Sequence, residues 1–408
     1  MISIFQDVAI TMNRKNKLLL ILVILLIFWA SREICDKFAQ DSFANDFMSY
    51  WSSARLLLSG SNPYVPAHVM ALQKSVGWSC PEPIVMYSPP STLTYILPFA
   101  LGNYVISKMS WFLLMLGLIF LGTHWLWTLY GGENEDRFWS LLLLATFSPV
   151  YFTIRSAQIV PLVLIGFAGF LYFQKNRNDL LAGICTALIA IKPHVAYLFW
   201  IALLLWVLRE RKWHILIGVV CGNAIISLVP LLFNHEVFFQ HWDAIRDQNT
   251  TTFWATPTLG TWLRLFWGGE RHWLQYMSLL LGLSWFLFHW SRKGPSWNWL
   301  KETPLLLMVS LMTSIYCWTH DYALLLVPMI QSALLIVRNG KSGISMSLAG
   351  FYIIMNIVAF AESAVDQGDH QHYFIWYPLF ILICYFTAAR YGGATSLTSL
   401  NSESRPET

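Results

Sequence analysis

The segment Asn45-Asp46-Phe47-Met48-Ser49-Tyr50-Trp51 places an acid one helical turn before a tyrosine. Asn45 as N-cap and Gly60 as the C′ residue bound a short helix over 46–59, with Asp46, Tyr50 and Ala54 on one face and Phe47, Trp51 and Leu58 on the next. An acid thus stands beside an aromatic ring at the membrane surface, and the local sequence favours the reading in which Asp46 merely suits the positive end of the helix dipole and stays solvated. Lys192-Pro193-His194 divides two apolar runs. Proline prevents a continuous hydrogen-bond ladder, and the lysine either faces a lipid phosphate in the notch or snorkels to the headgroups. Arg155 and Gln158 stand close together, the first suited to bidentate phosphate contact and the second to a phosphate or sugar hydroxyl. His320-Asp321-Tyr322 opens another run, where the acid reads locally as a helix N-terminal charge. Trp51, Tyr64 and Tyr87 are candidates for stacking on a sugar ring, although interfacial belts account for most of the 21 Trp and 17 Tyr. Asp369-His370-Gln371-His372 has the composition of a metal cluster without further fixed ligand spacing, so an exposed loop and no metal are expected. Asn249-Thr250-Thr251 is a glycosylation sequon, meaningful only in a host with an endoplasmic reticulum.

The elements that hold these residues are set by composition. Apolar residues make up 56% of the chain and charged residues 12%, about half the usual charged fraction. The apolar residues come as long runs, such as Leu18 to Ala30, Trp111 to Tyr130 and Leu305 to Tyr316, without strict alternation. Helices crossing a bilayer are implied, and a β-barrel is not. About twelve spans are expected, near residues 17–34, 104–130, 138–154, 159–174, 179–191, 195–208, 214–232, 272–290, 303–317, 322–337, 344–361 and 374–390. Lys175 with Arg177, Arg209 with Arg211 and Lys212, Arg292 with Lys293, and Arg338 with Lys341 mark cytoplasmic loops, which puts both termini inside. Arg14, Lys15 and Lys17 before the first run resemble a signal peptide, but no small-x-small cleavage site follows, so an uncleaved anchor is expected. The expected organisation is a cytoplasmic tail over 1–16, one transmembrane domain over 17–390 and a second tail over 391–408.

Residues 89–102 are apolar but too short to cross; as a crossing they would invert every later loop against the charge bias. They are expected to lie in the outer interface. The outer side then carries a long loop, 35–103, and a second, 233–271; loops of this length are usually functional. Cys35 and Cys80 share the first, in a compartment that permits a disulfide. The net charge of +4 is scattered over short loops and forms no nucleic-acid patch. No internal repeat is visible, which weighs against an inverted-repeat carrier.

Five segments in order, DFMSYWSSARLLLSGSNPY, MYSPPSTLTYILPFAL, SAQIVPLVLIGF, LLAGICTALIAIKPH and THDYALLLVP, resemble the polyprenol-phosphate-mannose-dependent mannosyltransferase-like membrane proteins of glycosyltransferase family 87, over about residues 44–330. Ala157 stands where that pattern carries a glycine before the glutamine. The resemblance implies an all-α polytopic GT-C fold with interfacial helices in the first outer loop, and an inverting-type transferase in the inner (plasma) membrane with its site on the outer face. Its donor would be a polyprenyl-phosphate-linked sugar, mannose by family default, and its acceptor a lipid or glycan hydroxyl. No cofactor is expected. Asp46 would be the base. Lys192 and Arg155 would face the departing phosphate, with Gln158 and His194 beside it; Tyr50, Trp51, Tyr64, Tyr87, His320 and Asp321 would line the sugar and acceptor. The charge-based topology independently puts all five segments on one side of the membrane. A transporter or flippase of a lipid-linked substrate, or a non-catalytic envelope scaffold, are the rival readings.

Overall fold

The computed structural model describes residues 45–133, 137–248, 254–269, 271–338, 343–365 and 371–391. The expected first span, the tail over 1–16, all of the tail over 391–408 beyond Tyr391, the sequon, Asp369, His370 and Cys35 lie outside them; Cys80, the expected partner of Cys35, is exposed.

The described chain is helical, without strands. The first loop folds as α1 (Asn45–Leu58), α2 (Pro66–Ser75) and α3 (Leu93–Ala100). They are followed by α4 (Tyr104–Leu129), α5 (Arg137–Thr146), α6 (Ser148–Arg155), α7 (Val160–Lys175), α8 (Asp179–Ile189), α9 (Tyr197–Glu210) and α10 (Trp213–Leu231). The second loop carries α11 (Val237–Gln248) and α12 (Leu259–Phe266), and the chain continues through α13 (Leu274–Lys293), α14 (Trp299–Thr313), α15 (Leu326–Arg338), α16 (Gly343–Val365) and α17 (Trp376–Tyr391). Every expected span after the first overlaps one of these helices. Among the described residues, six helical stretches are long and apolar enough to cross a membrane, or seven if the bent pair α5–α6 is one span. α7 and α8, with 16 and 11 residues, are apolar but shorter than these.

α1 is no solvated loop helix. Phe47, Tyr50, Trp51, Ala54 and Leu57 are all buried. Phe47 stacks on Tyr104 and Trp111 of α4, and Trp51 meets Tyr104 edge-on. Arg55 donates to the Ala100 carbonyl at 2.6 Å, satisfying the C-terminal end of α3. The C-terminal turn of α1 closes as expected: Gly60 has φ +72°, with Ser61 N–H on the Leu56 carbonyl and Gly60 N–H on that of Leu57, the paired bonds of a Schellman cap. α8 and α10 meet through Gly183 and Gly218, where a Cβ on either would strike the facing backbone.

The expected span over 138–154 breaks. Phe147 is extended (φ −79°, ψ 104°), Pro149 sits in the first turn of α6, and the two helices bend by 59°. The Ser148 N–H freed by the break donates to Asn356 Oδ1 of α16 at 2.7 Å. Tyr377 of α17 donates to the same oxygen at 3.0 Å and accepts from Ser148 Oγ at 3.2 Å. A buried break of this kind is tolerable only with its polar groups satisfied inside the protein. Its consequence is to lay α6 against residues 319–325 and to bring Gln158, just beyond its end, to α1.

Candidate active site

α6 ends in a second Schellman cap, with Ala157 N–H on the Ile154 carbonyl and Gln158 N–H on that of Thr153, both at 3.0 Å. The residue in the left-handed position is Ala157, at φ 50°. A glycine there would carry no Cβ penalty, which gives a physical reason for the glycine of the motif pattern. Trp111 Nε1 donates to the Ala157 carbonyl at 2.9 Å and holds the turn against α4. Gln158 emerges from this cap buried, at 4% exposure.

Its amide joins two charges. Nε2 donates to Asp46 Oδ2, and Oε1 accepts from both Lys192 Nζ and Tyr50 Oη at 3.1 Å. Only this orientation of the amide serves a carboxylate on one side and an ammonium on the other. Lys192 then reaches Asp321 Oδ1 at 2.6 Å and His320 Nε2 at 3.4 Å, so its three hydrogens each face an acceptor. The other carboxylate oxygen of Asp321 accepts from the Trp318 N–H at 2.9 Å. Thr153 of α6 donates to the His320 carbonyl at 2.6 Å and fixes the short 3-10 stretch Thr319–Leu325 that carries both residues. Lys192 is placed by its own backbone: it follows α8 in a non-helical conformation (φ −129°, ψ 69°), since the α region is disfavoured before Pro193.

Asp46, only partly buried, has its carboxyl pushed above the ordinary carboxylate range by desolvation. The Gln158 hydrogen bond and the Lys192 charge oppose that rise, and the Asp321 charge adds to it. Asp321 is matched by Lys192, so Asp46 carries the unmatched negative charge of this cluster when ionised.

Beside the cluster stands a wall of half-buried rings. Trp254 lies 5.3 Å from Tyr316, 5.5 Å from Trp318 and 5.9 Å from Tyr87, between ring centroids. Trp318 stacks towards His320 at 6.3 Å, and His194 stacks on Tyr316 at 3.9 Å. His194 Nε2 is buried with no hydrogen-bond partner among the described residues. The second loop is pinned to this wall by Tyr322 Oη on the Pro257 carbonyl at 2.8 Å, by Arg264 on that of Trp254 at 2.9 Å, and by His241 Nε2 against the Tyr87 carbonyl at 3.1 Å.

Of the residues singled out in the sequence, Asp46, Tyr50, Gln158, Lys192, His320 and Asp321 form one connected cluster, and His194 and Tyr87 border it. Arg155 instead turns to Ser363 of α16, at 3.4 Å. Trp51 and Tyr64 are core residues at 4% and 3% exposure, Tyr64 packing on His241. Sequence reasoning missed Trp254, Tyr316 and Trp318. A signal for two of them was present: Tyr316 and Trp318 immediately precede His320-Asp321.

The family model of glycosyltransferase family 87 matches residues 86–350. The chain belongs to this family. The match spans Gln158, Lys192, His194, His320, Asp321 and the aromatic wall, while Asp46 and Tyr50 precede it. No curated protein and no solved structure matches the chain. Membership and the long apolar helices together make this a multi-pass membrane glycosyltransferase.

Proposed function

We propose that this family 87 glycosyltransferase moves a hexosyl group, mannose by family default, from a polyprenyl phosphate to an acceptor hydroxyl at the outer membrane face, with Asp46 as base. The observation that supports this most is the chain Asp46–Gln158–Lys192–Asp321, buried from Gln158 onward, which holds one unmatched carboxylate beside a wall of sugar-sized rings. The acceptor oxygen bonds to the anomeric carbon as the bond from that carbon to the phosphate oxygen breaks. The bonding pair leaves with the polyprenyl phosphate, and the hydroxyl proton passes to Asp46. Transfer through an oxocarbenium-like state asks for proton removal late, so a carboxylate suffices, and its raised affinity for a proton makes it a better base.

The leaving phosphate needs a cation. Lys192 offers one through its longest contact, the 3.4 Å approach to His320, which a phosphate oxygen replaces most readily. Arg155 approaches the site only by releasing Ser363. His194 Nε2, without a partner, is the hydrogen-bonding group for a sugar hydroxyl or the phosphate, and Tyr87, Trp254, Tyr316 and Trp318 present faces for the sugar ring. Tyr50, Trp51 and Tyr64 support α1 from the core.

The test is transfer of label from a radiolabelled polyprenyl-phosphate sugar to native membrane lipids by the purified chain in lipid. Asp46→Asn is expected to lower turnover by about 10²- to 10⁴-fold, the range for a general base, with donor binding kept. Donor that binds yet is never consumed by the unaltered chain, across several sugars and acceptors, would favour a lipid-linked carrier.

A further inference from the structure

A cavity lies away from this cluster. It has a volume of about 200 Å³ and opens between α4 and α5. Thr123 and His124 of α4 and Arg137 in the first turn of α5 supply its polar side, and Phe120, Leu141 and Leu144 its apolar side. Thr123 is twelve residues along α4 from Trp111, which packs on the Ala157 turn, so the cavity sits roughly 18 Å down the helix axis at 1.5 Å per residue. α4 is long enough to cross a bilayer, and this end of it falls near the surface opposite the reaction site.

We propose that this cavity holds the phosphodiester of a membrane phospholipid. Three observations converge. A threonine inside a helix ordinarily bonds back to a carbonyl of the preceding turn, as Thr128 does to His124 at 3.0 Å. Thr123 does not: it is buried at 2% exposure, lines the cavity, and its Oγ1 has no partner among the described residues. Arg137, exposed at the mouth, supplies the charge and fork geometry suited to a phosphate, at a helix N-terminus whose dipole also favours an anion. Phe120 and Leu141 are 52% and 46% exposed on the flank that faces lipid, so an acyl chain continues from the polar end along them. A soluble phosphate would leave that apolar half of the cavity unused.

The full chain in detergent, titrated separately with dioleoylphosphatidylglycerol, dioleoylglycerol and inorganic phosphate and read by native mass spectrometry, tests the assignment. The phospholipid is expected to be retained at one per chain, and dioleoylglycerol is not. Arg137→Gln lowers retention by roughly tenfold, the loss of a hydrogen bond to a charged group, and Thr123→Val, close to isosteric, by roughly threefold. Thermal unfolding without added lipid stays unchanged in Arg137→Gln, because the side chain is exposed. Equal retention of phospholipid by both variants, equal retention of dioleoylglycerol, or displacement of the phospholipid by stoichiometric inorganic phosphate would each overturn the proposal.

Discussion

Lys192 and Asp321 form an ion pair of 2.6 Å with side chains 9% and 0% exposed. The pair joins the turn after α8 to the 3-10 stretch before α15, two segments that are neighbours only in the folded chain. Removing one partner strands the other as a buried charge, which typically costs about 3–5 kcal/mol. Asp321→Asn and Lys192→Met are therefore each expected to lower the thermal midpoint of the purified protein markedly, and the double variant to lose less than the sum. Additive losses in a double-mutant cycle would show that the pair is not coupled.

Turnover should fall on acidification with a midpoint above the ordinary carboxylate range, because burial raises the Asp46 pKa and the base must be ionised. The sign for stability is the reverse. A folded-state pKa above the unfolded one favours the folded state fully below the unfolded value, and that contribution is lost as pH rises through the folded value. Acidification thus silences Asp46 without destabilising the fold through it. A pH–rate profile with its acidic limb at or below the usual value for aspartate would contradict this assignment.

Ala157 holds a left-handed conformation that costs an L-residue roughly 1–2 kcal/mol. Ala157→Gly removes that strain and adds some unfolded-state entropy, for a net stabilisation of about 0.5–1 kcal/mol. Ala157→Val tightens the strain and should displace Gln158, reducing turnover more than donor binding. Unfolding curves and initial rates of the two variants separate these effects.

The break between α5 and α6 depends on Asn356 Oδ1, which accepts from Ser148 and Tyr377. Asn356→Leu leaves both donors buried and unpaired, at about 1–3 kcal/mol each. The variant is expected to be less stable and slower, since α6 carries Gln158; full activity would mean that α6 keeps its aim without this contact.

The aromatic wall gives a prediction of a different kind. Trp254→Ala and Trp318→Ala remove ring faces worth about 0.5–1.5 kcal/mol, so the donor KM is expected to rise roughly 2- to 13-fold. Trp51→Ala, in the core, should instead lower protein yield and stability. Steady-state kinetics with the labelled donor tell the two patterns apart.

The cluster was legible because charges at the edges of apolar runs are rare and because the lysine and arginine bias put their segments on one side. Lys192 and Arg155 stood out on that basis, whereas Asp46, His320 and Asp321 read locally as helix-terminal groups and were drawn into one site, with Gln158, by the resemblance of their segments to family 87. Their pairing was not legible: nothing in the spacing says that Lys192 faces Asp321, or that Arg155 turns to Ser363. The aromatic wall was hidden by abundance, since with 21 tryptophans neither exposure nor partner can be assigned from position. Trp51 and Tyr64 drew attention for standing in a loop, yet α1 packs into the core and takes Trp51 with it. The break after Phe147 was announced by Ser148-Pro149, but inside an apolar run a proline in the first turn of a helix looks the same as one that an unbroken helix tolerates. Hydropathy reports only that a run avoids water; length and composition together pick out six or seven crossing helices among the described residues.

The Gln158 amide hydrogen is itself locked, bonded to the Thr153 carbonyl inside a buried cap that Trp111 clasps from α4. The residue linking the two halves of the site thus rides on closed backbone structure, and its motion requires the end of α6 to unwind. On the timescale of hydrogen exchange, Gln158 belongs with the slow core and not with the fast loops around it. Substrate arriving at this site meets a junction already set, and any adjustment to its shape comes from the aromatic wall and the second loop.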